Sequence, residues 1–158
     1  MGSIRENIDA VNRIKGEAAV KSGRKAEDVL LCAVTKTRTA DEINEAIDAG
    51  ITDIGENKVQ EIMDKFSMIH SVDSLHLAQE IDKRAAQHGI TMDILIQVNS
   101  AQEESKFGIS TDETEGMIRD ILDKCPNIRI RGLMCIAPFA ENPEDVRVYF
   151  AQVKKLYD

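Results

Sequence analysis

The chemistry in this chain centres on a lysine. Val29-Leu30-Leu31-Cys32-Ala33-Val34 is an apolar run too short for a helix of its own, and it ends on Thr35-Lys36-Thr37 before a helix start. Such a run reads as a buried strand of a parallel sheet. An amine at the C-terminal end of that strand stands where α/β folds place their chemistry. Partial burial there disfavours the ammonium and leaves a neutral amine able to condense with a carbonyl. The competing reading makes Lys36 simply the first solvated residue after the strand.

Further polar residues follow at other strand ends. Asn57, in Gly55-Glu56-Asn57, has an amide suited to a polar ring substituent or an anion, and is equally a good helix N-cap. Lys106, in the polar loop after Val98-Asn99, offers a second amine near the same end or an ordinary solvated side chain. Met134 suits a strand core as well as a wall for a flat ligand. His70 and His76 are six apart, which fits neither a helical pair nor a zinc pattern. Walker-type, Gly-x-Gly-x-x-Gly and Gly-x-Ser-x-Gly motifs are all missing.

The elements that must carry these residues alternate strand and helix. Ser3 caps a helix over 3–21 that Ser22-Gly23 ends, and the strand at 29–36 follows. Thr39-Ala40-Asp41-Glu42 forms a capping box for a helix running to Gly50, and Asn57 with Gln60 forms a second box. Strands are expected at 51–55, 68–74, 92–99 and 128–136, and helices at 75–88, from Ser110 to Lys124, and from Asn142-Pro143 to Leu156. About five strand–helix units without a hairpin signal make an α/β protein with parallel strands.

A length of 158 residues fits one domain. A closed (β/α)₈ TIM-type barrel needs roughly 200 residues or more, so the barrel would be incomplete here. An open five-stranded doubly wound sheet is the alternative. The join at 66/67 passes from helix to strand with almost no connection, and a missing segment is expected there.

Composition narrows the partners. The net charge of −8 and the absence of tryptophan argue against a nucleic-acid surface. No window approaches a membrane span, and Arg5, Glu6 and Asp9 stand where a secretory signal would need an apolar core. Three cysteines without paired or metal-type spacing read as reduced, packed thiols, so a cytoplasmic location is expected.

Five motifs taken in order give a resemblance: Ala33-Val34-Thr35-Lys36-Thr37, Gly55-Glu56-Asn57-x-Val59-Gln60-Glu61, Ile69-His70-Ser71-Val72-Asp73-Ser74, Val98-Asn99 with Glu104-Ser105-Lys106-x-Gly108, and Arg131-Gly132-Leu133-Met134. Together they resemble the pyridoxal-phosphate homeostasis proteins, single-domain relatives of the alanine racemase N-terminal barrel. The resemblance covers essentially all of residues 1–158 and implies one pyridoxal-phosphate-binding barrel domain.

It implies pyridoxal 5′-phosphate held as an internal aldimine on Lys36, with Asn57 beside the cofactor. It also places Ser71 and Met134 at pocket-lining strand ends and makes Lys106 an alternative amine. The family's role is a cofactor carrier without established turnover, so apo-enzymes that receive the cofactor are the implied partners. A monomer is expected. The rivals are an amino-acid racemase or lyase using the same cofactor, and a Schiff-base aldolase using the Lys36 amine directly. A racemase needs acid/base groups on both faces of the substrate carbon, and no second such group can be assigned.

Two departures qualify the resemblance. Members carry a tryptophan-histidine-x-isoleucine-glycine strand and a glutamine-x-asparagine-lysine helix that have no counterpart at 66/67. They also carry serine- and glycine-rich strands seven and eight that hold the phosphate, for which residues 1–158 show no counterpart. Charge-assisted hydrogen bonds contribute about 1.5–3 kcal/mol each. The expectation is either that residues 1–158 belong to a longer protein, or that this form holds the cofactor weakly.

Overall fold

The computed structural model describes residues 3–35, 38–55, 67–102 and 107–158. The chain divides into two compact units, Met1–Val59 and Gln60–Asp158.

In the first unit, α1 (Ile4–Lys21) starts at a full capping box: Ser3 Oγ accepts from Glu6 N, and Glu6 accepts from Ser3 N at 2.8 Å. α2 (Ala40–Asp48) starts on the expected Thr39–Glu42 box. Both helices close the same way. The amide two residues past the cap reaches back across the last turn, as Arg24 N to Ala19 O and Ile51 N to Ala46 O. Gly50, at φ +98°, supplies the left-handed residue that α2 needs to stop there.

Between the helices, β1 (Cys32–Val34) pairs in parallel with β2 (Asp53–Gly55), in the register Cys32 to Asp53, Ala33 to Ile54 and Val34 to Gly55. The expected strand at 29–36 is therefore shorter and less buried than its composition suggests. Leu30 is 68% exposed and Val34 60%. The reason is local: Ala26–Asp28 form a 3₁₀ turn with Val29 as its cap, so pairing begins only at Cys32.

Among the described residues of this unit only Ala19 and Ile51 are buried apolar side chains. So thin a core gives little resistance to local opening. Amide hydrogen exchange is expected to be faster at Ala33 and Ile54 than at Ile94 and Ile96 in the second unit. Equal protection would contradict this.

The second unit is a parallel three-stranded sheet in the order β3 (Met68–Val72), β4 (Met92–Gln97), β5 (Ile128–Met134). α3 (Leu75–His88) and α4 (Thr111–Lys124) make the crossovers. Alternation along β4 sorts its side chains onto two faces. Met92, Ile94 and Ile96 are buried, together with Ile69, Val72 and Ile128 of the neighbouring strands, Ala78, Ile81 and Ala85 of α3, and Met117 and Ile121 of α4. Small alanines let α3 approach closely. Asp82 on α3 accepts from Asn127 N at 2.6 Å and anchors the start of β5.

Asp93, Leu95 and Gln97 point to the other face. There Asp93 accepts from Arg129 Nε at 2.6 Å, with Arg131 Nε at 3.5 Å. This cross-strand cluster holds the β4–β5 register, in which Asp93 stands opposite Arg129. The hydrogen bond from Arg129 holds the Asp93 carboxyl below its usual range, and the charges of Arg129 and Arg131 add to it against the opposing pull of burial. A depressed carboxylate pKa stabilises the fold above the unfolded value, and that contribution is lost as pH falls through the folded pKa. Asp93→Asn is therefore expected to lower the unfolding midpoint at pH 7, with the gap to wild type closing below about pH 4. A gap independent of pH would contradict this assignment.

α5 (Arg147–Tyr157) follows a 3₁₀ turn, Pro143–Val146, whose Asn142 side chain accepts from Glu144 N at 3.2 Å. The expected helix from Asn142 thus begins as a tighter turn. The ring of Tyr157 reaches the Leu95 face, 3.8 Å from where a Cβ on Gly132 would stand.

Candidate functional site

Within each sheet the parallel strands put their C-terminal ends on one edge, and the two described candidates, Ser71 and Met134, lie at such ends. In the first unit, Thr35 closes β1. Its N–H and hydroxyl both donate to Gly55 O, at 3.0 and 3.3 Å, and Thr35 O accepts from Arg38 N at 3.0 Å. Lys36 and Asn57 themselves lie outside the described residues. Their flanks do not: the residue before Lys36 is bonded to the residue before Glu56-Asn57. Gly55 lies against β1, where a Cβ on it would meet Cys32 Sγ at 3.4 Å, an ordinary packing distance. Burial, and then the charge of Asp53, push the Cys32 thiol up, which keeps it a neutral packing group.

In the second unit the edge is better defined. Ser71 is exposed on β3, where an irregular register between Ile69 and Val72 leaves His70 and Ser71 both outside the core. Met134 ends β5, half-buried, opposite Gln97 of β4. Ser71 and Met134 are therefore two strand spacings apart, ~10 Å, with the end of β4 between them.

Lys106 lies outside the described residues, but the neck of its loop is well fixed. Asn99 N donates to Ile109 O at 2.8 Å and Ile109 N to Gln97 O at 2.9 Å. The Gln97 amide donates to Phe107 O at 3.1 Å.

Gln97, Ser100 and Cys135 complete this edge and were not singled out from sequence. For Gln97 the signal was present: a polar residue closing an apolar run on the second face of its strand. Ser100 is 6% exposed, and its Oγ makes no hydrogen bond of regular geometry. Burial pushes the neighbouring Cys135 thiol up, and the Ser100 hydroxyl pulls it partly back. A separate cleft of about 580 Å³ lies between the start of α4 and α5, lined by Ser100, Thr111, Tyr149 and Lys155 among others; neither Ser71 nor Met134 lines it.

At this edge Met134 presents a thioether and Ser71 a hydroxyl. Among the described residues no three His, Cys, Asp or Glu side chains gather as a metal site, and no helix is long and apolar enough to cross a membrane.

Comparison with known proteins agrees with this geometry. The family model for the alanine racemase N-terminal domain matches residues 3–158. The pyridoxal phosphate homeostasis protein of Aquifex aeolicus is 33% identical over 170 residues, covering 90% of this chain and 74% of that one. That span exceeds the 158 residues present, so the alignment must open gaps in this chain.

Among solved structures, an unknown protein from Bifidobacterium adolescentis superposes with a TM-score of 0.87 at 29% identity, over 98% of this chain and 77% of that one. PipY of Synechococcus elongatus, solved with PLP bound, gives a TM-score of 0.68 at 26% identity, over 81% and 73%. The two parallel sheets described above are thus parts of the alanine racemase N-terminal fold, and the chain belongs to that family, in its pyridoxal phosphate homeostasis branch.

Proposed function

We propose that the chain binds pyridoxal 5′-phosphate through a Schiff base on Lys36 and acts as a cofactor carrier, without a catalytic cycle of its own. The observation that carries this reading is the bonded pair Thr35–Gly55, which delivers the chain to Lys36 and to Glu56-Asn57 from the same strand end. Family membership and the PLP-bound PipY structure support it.

When bound, the cofactor supplies an electrophilic aldehyde on a flat, electron-withdrawing ring. The residues have separate tasks. Lys36 would hold the cofactor by condensing its neutral amine with the aldehyde, with loss of one water, and Asn57 would hydrogen-bond the ring's polar substituents. Met134 excludes water from one side of the ring and Ser71 offers it a hydroxyl. Lys106 serves as a second amine during transfer. The recipients are apo-enzymes, the setting is the cytoplasm, and the working form is a monomer.

A racemase or lyase would need proton-transfer groups on both sides of the substrate carbon, and no described residue on this edge is placed as the second. Incubating the cofactor-loaded protein with amino acids in heavy water tests the point. No exchange of the α-proton is expected above that with free cofactor. Rapid, stereospecific exchange would overturn the carrier reading in favour of an enzyme.

A further inference from the structure

We infer that the cleft between the start of α4 and α5 binds a free α-amino acid with an apolar side chain, held as its zwitterion by Asp112 and Lys155. The inference lies wholly within the second unit and does not rest on the cofactor reading.

The cleft has a volume of about 580 Å³, within the range of small-molecule sites. Its two walls carry opposite charges, Asp112 in the first turn of α4 and Lys155 on α5. They do not pair with each other. Among the described residues Lys155 makes no ion pair, and the Asp112 carboxylate accepts only from Thr111 Oγ1, at 3.5 Å. Opposite charges that line one cleft without meeting are complementary to a ligand carrying both signs. The other carboxylate of that turn is already committed: Glu113 accepts from Ser110 Oγ at 2.5 Å and serves the cap.

A buried group in the same cleft also lacks a partner. Ser100 is 6% exposed, and its hydroxyl has no hydrogen bond of regular geometry. Leaving a buried hydroxyl unpaired is costly, so a polar group of a ligand is favoured beside it. The N–H groups of Thr111 and Asp112 have no acceptor within α4, as at every helix start, because Ser110 Oγ serves Glu113 N instead. Those amides favour a carboxylate. Tyr149 and Leu156, both half-buried, give the cleft an apolar side.

The ligand's carboxylate therefore lies with Lys155 and the first amides of α4, its ammonium with Asp112, and its side chain against Tyr149 and Leu156. A simple anion would face Asp112 with like charge, and a simple cation would face Lys155 in the same way.

Titration of cofactor-free protein with L-valine, followed by backbone amide shifts, tests the assignment. Saturable shifts are expected at Ser100, Thr111, Asp112 and Gln152, with none at Ile54 in the first unit. 3-Methylbutanoate, which lacks the ammonium, and 2-methylpropylamine, which lacks the carboxylate, should each bind about tenfold more weakly or worse. Two substitutions at exposed positions separate the charges. Lys155→Met should weaken valine about tenfold and leave 2-methylpropylamine no weaker, and Asp112→Asn should weaken valine equally and leave 3-methylbutanoate no weaker.

An absence of saturable shifts around the cleft with valine would overturn the site. Binding of 3-methylbutanoate as tight as that of valine would overturn the zwitterion, leaving an anion at a helix start. Valine binding unchanged in both variants would overturn the roles of Asp112 and Lys155.

Discussion

Lys36→Ala is expected to abolish covalent capture of pyridoxal phosphate while leaving the fold intact. The substitution falls just after β1, whose pairing with β2 runs through backbone atoms of Cys32–Thr35 and Asp53–Gly55. No side chain of that ladder is altered. What disappears is the nucleophile, so retention of the cofactor through dialysis should fall by ~10²-fold or more, leaving only non-covalent contacts.

Lys36→Arg makes the stricter control. It keeps a long cationic side chain, but a guanidinium does not deprotonate in proteins and cannot condense with an aldehyde. It should bind no better than Lys36→Ala in the covalent form, although its charge can hold some cofactor by its phosphate. If Lys36→Arg retained cofactor as wild type does, attraction of charge rather than bond formation would explain the binding.

The second large effect is on stability. Ile96 is fully buried in β4, the central strand of the second unit's sheet. Truncation there removes three methyl or methylene groups and leaves a cavity among Ile94, Val72 and the helices, in a region too well packed to collapse. Ile96→Ala should cost about 2–5 kcal/mol, set against a total of ~5–15 kcal/mol for a typical domain. Chemical unfolding followed in the second unit should show a lower midpoint with an unchanged slope. Leu95→Ala, one residue away on the half-buried face, should cost clearly less. Equal losses at the two positions would mean that the two faces of the sheet are packed alike, contrary to the burial pattern of β4.

Much of this architecture was legible in the residues. Polar caps fixed helix starts to the residue: Ser3, Thr39 and Ser110 each cap as their local chemistry demands. Periodicity placed α3 at Leu75–His88 and α4 as ending at Lys124. Strand ends were harder. The run beginning at Val29 looked continuously buried, yet a 3₁₀ turn consumes its start, because composition alone does not reveal where backbone pairing begins.

The site was legible unevenly. Ser71 and Met134 lie at strand ends, on one edge of one sheet, while Lys36, Asn57 and Lys106 lie outside the described residues. Gln97 carried a signal, a polar residue closing an apolar run, but its bond to Phe107 ten residues on is encoded by no periodic pattern. The second departure from a regular strand, at His70-Ser71, is a change of register and has no signature in residue type.

The most direct test is chemical. The wild-type protein is mixed with pyridoxal phosphate, reduced with borohydride, digested, and mapped by mass for the pyridoxyl group. The account predicts one dominant adduct, on the peptide containing Lys36. A reduced protein in which Lys36 is unmodified, with label absent or carried only by other lysines, would contradict it.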